Sequence, residues 1–103
     1  MTDQMQHVEK LTEEQVAEGL STLPEWSQNG DSIQRTMTFE DFCQAMKFVN
    51  HVADNAEKTQ HHPDILVRYN KVTLTLSTHD AGGLSAKDMS FATFCDSLIP
   101  STS

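Results

Sequence analysis

The sequence has no long apolar run and little positive charge, and each absence excludes a class of protein. No apolar run reaches the roughly 18 residues that a membrane-spanning helix needs, and the polar start MTDQMQHVEK lacks the apolar core of a signal peptide. Lysine and arginine total 7 against 15 aspartates and glutamates, a formal net charge of -8 that would repel phosphate backbones. We therefore expect a cytoplasmic protein, with the nucleus as the alternative, that binds neither membranes nor nucleic acid directly.

Cysteine is scarce, and the common catalytic and metal-binding motifs are missing. Cys43 and Cys95 lack CxxC spacing, so no disulfide scaffold is indicated. Both lie in apolar helical patterns, which predicts two reduced core residues. No Walker loop, GxGxxG, GxSxG or HExxH segment occurs. We predict no metal site, with a zinc site of three histidines as the alternative.

The length of 103 residues corresponds to one domain. We assign residues 1–103 to it and expect residues 1–10 and 100–103 to be frayed termini. Because a domain of this size buries only a modest share of its surface, association with other copies would stabilise it. We therefore expect a homodimer or homotetramer.

Three segments have the end signals and apolar spacing of helices. Each begins with a capping-box pattern: Thr12 and Gln15, Thr38 and Asp41, and Ser85 and Asp88. The predicted apolar stripe of the long middle helix is Phe42, Met46, Val49, Ala53 and Ala56, flanked by Ala45, Phe48 and Val52. Glu57 continues this stripe, which predicts a carboxylate near the buried edge at the helix C-terminus. The helix dipole disfavours an acid there, and this misfit indicates a function.

Two hairpins separate the helices. Asn29 and Gly30 are predicted to occupy the central positions of a type I′ turn between strands at 26–28 and 33–37. Asn70-Lys71 is predicted to join two further strands, the second of which alternates apolar and polar residues. The predicted fold is therefore α+β, a four-stranded antiparallel sheet with three helices packed on one face, in the order α-β-β-α-β-β-α.

Three of the five histidines lie where side chains are readily presented to a ligand. His61 and His62 fall between a helix end and Pro63, and His79 ends a predicted strand on its polar face. Histidine titrates close to neutral pH, so it can donate and accept protons in catalysis. The alternative interpretation is that these three histidines are ordinary polar surface.

The spacing of seven residues resembles the signature of the pterin-4a-carbinolamine dehydratase family. These residues are Glu57, His61, His62, Pro63, Tyr69, His79 and Asp88, and the segments AEKTQHHPD and YNKVTLTLSTHDAGGLS are similar as well. The resemblance extends from Thr12 to about Leu98. It implies the sheet-and-helix fold predicted above, assembly as dimers or tetramers, and no need for a metal or cofactor.

The resemblance also implies an activity and a set of roles. Such a lyase removes water from 4a-hydroxytetrahydropterin to give quinonoid dihydropterin, a step in the recycling of tetrahydrobiopterin. One acid and one base are needed within about 3 Å of their targets. We expect His79 to be the acid and His61 the base, with the reverse assignment open. His62 would position the pterin, and Glu57 would orient His61.

Pterin contacts are implied by the resemblance on two segments. They comprise Gln60, His61, His62 and Pro63 on one side and Ser77, Thr78, His79 and Asp80 on the other. Trp26 could stack on the pterin or serve as a core residue. Tyr69 is expected to pack within a strand, and Asp88 to be a structural cap without a catalytic role.

Two other functions stay open at this point. Some animal relatives act as dimerisation cofactors for a homeodomain transcription factor, so a binding module with such a protein partner is the second hypothesis. A relative that binds pterin without turnover is the third. The complete histidine set favours catalysis, because a pure adaptor would not need it.

Overall fold

The computed structural model describes residues 8–99, so most of the termini predicted to fray lie outside it. The elements are α1 (Glu13–Leu20), β1 (Ser27–Asn29), β2 (Ser32–Thr38), α2 (Phe42–Thr59), β3 (Asp64–Arg68), β4 (Lys71–Leu76), a 3₁₀ turn (His79–Ala81) and α3 (Ala86–Ser97). This order confirms the predicted fold. Within the described range no helix is both long and apolar enough to cross a membrane. The cytoplasmic or nuclear location stays a prediction.

The four strands form one antiparallel sheet in the order β1-β2-β4-β3. The two central strands bury their apolar side chains on one face, as their alternation predicted: Ile33, Met37, Val72, Leu74 and Leu76. Each such side chain contributes about 1.5–3 kcal/mol when it is fully buried. The helices cover this face, and Val16, Val52 and Phe91 are among the side chains that complete the core.

The opposite face of the sheet is polar along its centre. Thr36 and Thr73 share a hydrogen bond of 2.7 Å between hydroxyl oxygens, and Gln34 donates to the Thr75 hydroxyl at 3.1 Å. These cross-strand pairs tie β2 to β4 without an apolar layer over them. This open face therefore carries little apolar surface except at strand β3, on the sheet edge.

The predicted start of the second helix is wrong by three residues. Asp41 is the N-cap of α2, and its carboxylate accepts from the Gln44 backbone N–H at 2.9 Å. Thr38 belongs to β2 instead, where it pairs with Lys71. Strand pairing keeps Thr38 extended, so the chain can enter a helix only after it. The capping boxes of α1 and α3 are confirmed.

The predicted stripe of α2 is also displaced. The buried side chains are Ala45, Phe48, Val52 and Ala56. Phe42 and Ala53 of the predicted stripe are exposed. The helix is thus rotated about its axis, and Glu57 lies in solvent rather than at the buried edge. Ala56 of the predicted stripe and its predicted flank are buried, so periodicity located the apolar side of α2 but not its centre.

Each of the two hairpin turns lies one residue away from its predicted position. Pairing of Asn29 with Ser32 leaves Gly30 and Asp31 as the turn, with φ of 61° at Gly30 alone. A glycine at the first central position is typical of a type II′ turn, so the type I′ prediction is wrong. Likewise the pairing of Arg68 with Lys71 makes Tyr69 and Asn70 the β3–β4 turn, so the Asn70-Lys71 prediction is wrong. Tyr69, expected to pack in a strand, has φ 52° in this turn and is 66% exposed.

The two cysteines have opposite environments. Cys95 is buried in α3, as predicted, whereas Cys43 is exposed on α2, which contradicts the prediction of a core residue. The rotation of α2 explains the difference, since it turns Cys43 outward. Both thiols are free, and burial, with Asp96 nearby, raises the pKa of Cys95 to about 12. The neutral thiol of Cys95 is therefore the stable form in the folded protein.

This contrast predicts selective thiol chemistry. An aromatic disulfide reagent at about pH 8 should modify Cys43 quickly and Cys95 only after unfolding, because the thiolate is the reactive species. Absorbance of the released aromatic thiolate measures both phases, and the Cys43→Ser variant is the control that should lack the fast phase. Two fast thiols in the native protein would contradict these assignments.

Candidate active site

The end of α2 determines where the paired histidines lie. Gln60 ends the helix in the left-handed conformation, with φ 54° and ψ 42°, and its side-chain amide donates to the Glu57 carbonyl at 2.8 Å. This reversal turns His61 inward and leaves His62 exposed. Pro63 follows half-buried at the start of the next segment. Adjacent histidines are therefore held in different environments.

The inward-facing histidine is paired with a buried carboxylate. His61 Nε2 lies 2.6 Å from Asp88 Oδ1, and the Asp88 side chain is 0% exposed. The other oxygen, Oδ2, accepts from the Ser85 backbone N–H at 2.9 Å and the Thr78 hydroxyl at 2.8 Å. One carboxylate thus connects the end of α2, the segment after β4 and the first turn of α3.

The carboxylate expected to orient His61 contacts its neighbour instead. Glu57 Oε2 lies 2.7 Å from His62 Nε2, and these side chains are 74% and 54% exposed. The prediction assumed that helical geometry continued past Thr59, which would have brought Glu57 to His61. The left-handed residue Gln60 breaks that periodicity, so Glu57 reaches the residue five positions later.

Asp88 has a role that sequence reasoning missed. Its capping box with Ser85 is confirmed. On sequence alone, that box is a sufficient reason for an acid at this position. The structure adds the contact with His61, 27 positions away in the sequence. The sequence signal for this role was the position of Asp88 in the family signature, at a fixed spacing from the histidines.

The two histidine–carboxylate pairs differ in how strongly solvent screens them. Water surrounds His62 and Glu57, so their attraction is weak. The His61–Asp88 pair lies in a poorly screened environment, where hydrogen bonds to a carboxylate are stronger and losing a partner is more costly. His61 is therefore held in one orientation, whereas His62 can adjust to a ligand.

The second predicted binding segment lies beside this pair. Thr78 is buried, while Ser77, His79 and Asp80 are exposed. His79 lies in a 3₁₀ turn with Asp80, rather than at a strand end as predicted. The Thr78 backbone N–H donates to the Gly83 carbonyl at 2.8 Å and closes the loop. Because Thr78 and His61 bind the same carboxylate, this segment and the histidine turn are neighbours.

A cavity of about 460 Å³ also borders His61. It is lined by Asn55, Thr59, His61, Ala86, Lys87, Ser90, Phe91 and Phe94. The rings of His61 and Phe91 meet edge to face with centroids 6.1 Å apart. Of the predicted pterin contacts, His61 alone lines this cavity, so it does not coincide with the predicted binding segments.

Trp26 is a core residue. It is buried, and its indole Nε1–H donates to Asp96 Oδ1 at 2.9 Å. The same oxygen accepts from Arg35 Nη1 at 2.6 Å, which ties the sheet to α3. Burial and the indole hydrogen bond favour the core alternative for Trp26.

A metal site receives no support from side-chain clustering. In the part of the chain that the structure describes, no three His, Cys, Asp or Glu side chains are grouped so that they could hold a metal ion. What the arrangement offers chemically is an oriented imidazole beside exposed polar groups. Such a group can accept and donate protons.

Comparisons with known sequences identify one family. A model of the family described as pterin 4 alpha carbinolamine dehydratase matches residues 9–98. Proteins with the provisional name pterin-4-alpha-carbinolamine dehydratase from Acidobacterium capsulatum and Nocardia farcinica are each 48% identical over 90 residues. The matches cover 87% of this chain, 98% of the first relative and 95% of the second.

Two solved structures share the fold. A Brucella melitensis protein described as a transcriptional coactivator/pterin dehydratase matches with a TM-score of 0.86 and 33% identity, covering 88% of this chain and 99% of its own. A pterin dehydratase-like protein described as a RuBisCO assembly factor in the alpha-carboxysome matches with a TM-score of 0.62 and 22% identity, over 75% and 89% of the two chains. The second likeness concerns the fold alone.

The two histidine–carboxylate pairs predict unequal losses of stability. Asp88→Ala should lower the free energy of unfolding by about 3 kcal/mol, because three donors lose a buried acceptor. Glu57→Ala, the matched control at the exposed pair, should lower it by less than about 1 kcal/mol. Urea denaturation followed by circular dichroism measures both, and Asp88→Asn should fall between them. Equal losses would contradict the contrast in burial.

Proposed function

Because the chain belongs to the pterin 4 alpha carbinolamine dehydratase family, we propose that it is a hydro-lyase that converts 4a-hydroxytetrahydropterin to quinonoid dihydropterin and water. The observation that carries this proposal is the buried Asp88 carboxylate, which orients His61 next to the polar segment from Ser77 to Asp80. The reaction would serve the recycling of tetrahydrobiopterin.

The chemistry requires two proton transfers and one bond cleavage. The bond between C4a and the hydroxyl oxygen breaks, and N5 loses its proton as the double bond between C4a and N5 forms. Protonation of the departing oxygen turns it into water. We assign the base at N5 to His61 and the acid at the hydroxyl to His79, which are positioned on neighbouring segments.

This elimination leaves the oxidation state of the pterin unchanged. It needs no electron carrier, and the proton donor and acceptor can both be side chains. We therefore propose that the reaction uses no cofactor and no metal ion, with the pterin as the sole substrate.

We place the pterin across the exposed polar groups rather than in the apolar cavity. A pterin ring system carries many hydrogen-bonding atoms, and His62, Ser77, His79 and Asp80 are exposed and polar. Backbone groups near Gln60 can contribute as well, since the side chain of Gln60 already caps α2. Most of the exposed lining of the cavity beside Phe91 and Phe94 is apolar, so it suits a pterin ring system less well.

A second function, as a partner of another protein, is suggested by one comparison. The Brucella melitensis protein described as a transcriptional coactivator/pterin dehydratase is 33% identical to this chain. A transcription factor could bind without using the histidines. Catalysis is the better supported proposal here, because a protein-binding role gives no reason for an oriented His61.

Association with a second copy is proposed through the edge strand β3. The whole of β3 is exposed or half-buried, and Ile65, Leu66 and the adjoining Tyr69 are exposed apolar residues. An exposed apolar edge strand offers unpaired backbone groups and a surface that favours strand pairing. A homodimer joined at β3 would cover both, and a homotetramer could be built from such dimers.

Stopped-flow absorbance on freshly generated 4a-hydroxytetrahydropterin tests the catalytic proposal. The wild-type protein should accelerate dehydration over the spontaneous rate, and His61→Ala and His79→Ala should each lose roughly 10²-fold or more of that activity. His51→Ala, which removes an exposed histidine in the middle of α2, is the matched control and should retain it. A wild-type rate equal to the spontaneous rate would contradict the proposal that the protein catalyses this dehydration.

Light scattering tests the edge-strand interface. The wild type should have the mass of at least two chains, and Leu66→Lys should reduce it, since two lysines would meet across paired edges. Thr36→Lys places the same charge on the open face of a central strand and should leave the mass unchanged. If only Thr36→Lys dissociates the assembly, the copies meet through the open face instead.

A further inference from the structure

Two buried hydroxyl groups, those of Thr78 and Ser85, are hydrogen-bonded in series to the carboxylate of the His61–Asp88 pair. The Thr78 and Ser85 residues are 5% and 0% exposed, so neither hydroxyl is available at the surface. Their oxygens lie 2.6 Å apart, and Thr78 Oγ1 lies 2.8 Å from Asp88 Oδ2. The resemblance implied that Thr78 contacts the pterin, but its hydroxyl is engaged inside the protein.

The donor in each of these hydrogen bonds follows from the fact that each hydroxyl has one proton. Thr78 has one hydroxyl proton and donates it to Asp88. The short contact between Thr78 and Ser85 must then be a donation from the Ser85 hydroxyl. The Ser85 oxygen in turn accepts from the Lys87 backbone N–H at 3.2 Å. Each hydrogen bond in this series is therefore donated in the direction of the Asp88 carboxylate.

This polarity decides which nitrogen of His61 carries a proton. Asp88 Oδ2 accepts from two donors, the Thr78 hydroxyl and the Ser85 backbone N–H. An ionised carboxylate can only accept, so His61 Nε2 must be the donor to Oδ1. A neutral His61 then has its free electron pair on Nδ1.

We propose that Thr78 and Ser85 are positioning residues that hold the Asp88 carboxylate in place and thereby fix the Nε2–H tautomer of His61, making Nδ1 the atom that exchanges protons with the substrate. The Thr78 side chain acts through Asp88 and not by touching the pterin. The proposal rests on the proposed function for the identity of the reaction, but the tautomer of His61 is a property of the free protein.

Loss of the Thr78 hydroxyl should weaken this control without removing a substrate contact. In Thr78→Val, Asp88 loses one of the two donors that hold Oδ2 and Ser85 loses its acceptor. The carboxylate can then turn away from His61 Nε2, so both histidine tautomers become accessible. The turnover number should fall by roughly tenfold to a hundredfold, with KM nearly unchanged, as is usual for partners that orient a functional histidine. Thr78→Ser keeps the hydroxyl and should restore most of the rate.

The test combines long-range ¹H–¹⁵N NMR of the ring nitrogens with steady-state kinetics. At a pH where His61 is neutral, the wild type and Thr78→Ser should show a protonated Nε2 and a bare Nδ1, and Thr78→Val should show a mixture. The His61→Gln spectrum assigns the signals. Thr73→Val is the matched control, because Thr73 bonds Thr36 on the open face and its loss should leave His61 unchanged.

Each outcome decides between the two proposals. A wild-type His61 with its proton on Nδ1, or a Thr78→Val variant with unchanged tautomer and turnover, would overturn the positioning role. A rise in KM at constant turnover number in Thr78→Val would also overturn it, since that pattern marks a lost substrate contact. A wild type that shows the expected tautomer but no turnover would overturn the proposed function and leave the positioning inference standing.

Discussion

The buried carboxylate of Asp88 is the constraint on which the rest of the site depends. An isolated charge buried in a protein costs several kcal/mol, so it persists only when donors surround it. Here the donors come from three separate parts of the chain: His61 after α2, Thr78 after β4, and the Ser85 backbone at the start of α3. The first turn of α3 adds the positive end of its dipole. Satisfying one carboxylate therefore brings together the segments that build the site.

The local backbone then determines what each histidine can do. Gln60 in the left-handed conformation separates His61 from His62, so one ring is held and the other stays exposed. The 3₁₀ turn after Thr78 leaves His79 exposed next to this region. A buried, oriented histidine and an exposed one suit different tasks, proton transfer at a defined atom and adaptation to a ligand. The proposed reaction would therefore depend on the orientation of side chains rather than on a deep pocket.

Local sequence signals predicted the elements but not the contacts between them. The capping boxes at Thr12 and Ser85 and the alternation in β4 depend on neighbouring residues, and all of these predictions are confirmed. The hairpin turns were placed one residue away, because the pairing that buries Ile33 and Leu76 on the core face overrides the preference of Asn29 for a turn. The role of Asp88 could not be read locally, since its partner His61 lies 27 residues away and a nearer explanation, the cap, was available. The pairing of Glu57 was missed because one left-handed residue changed the geometry.

A double-mutant cycle between His61 and Asp88 tests the central claim most directly. The single variants His61→Ala and Asp88→Ala and their combination are compared in urea denaturation, with the His62–Glu57 cycle as the exposed reference. If the buried carboxylate organises the site, the coupling free energy should be about 2 kcal/mol for His61–Asp88 and below about 0.5 kcal/mol for His62–Glu57. A coupling near zero for His61–Asp88 would show that the two side chains act independently, and the account of the site would fail.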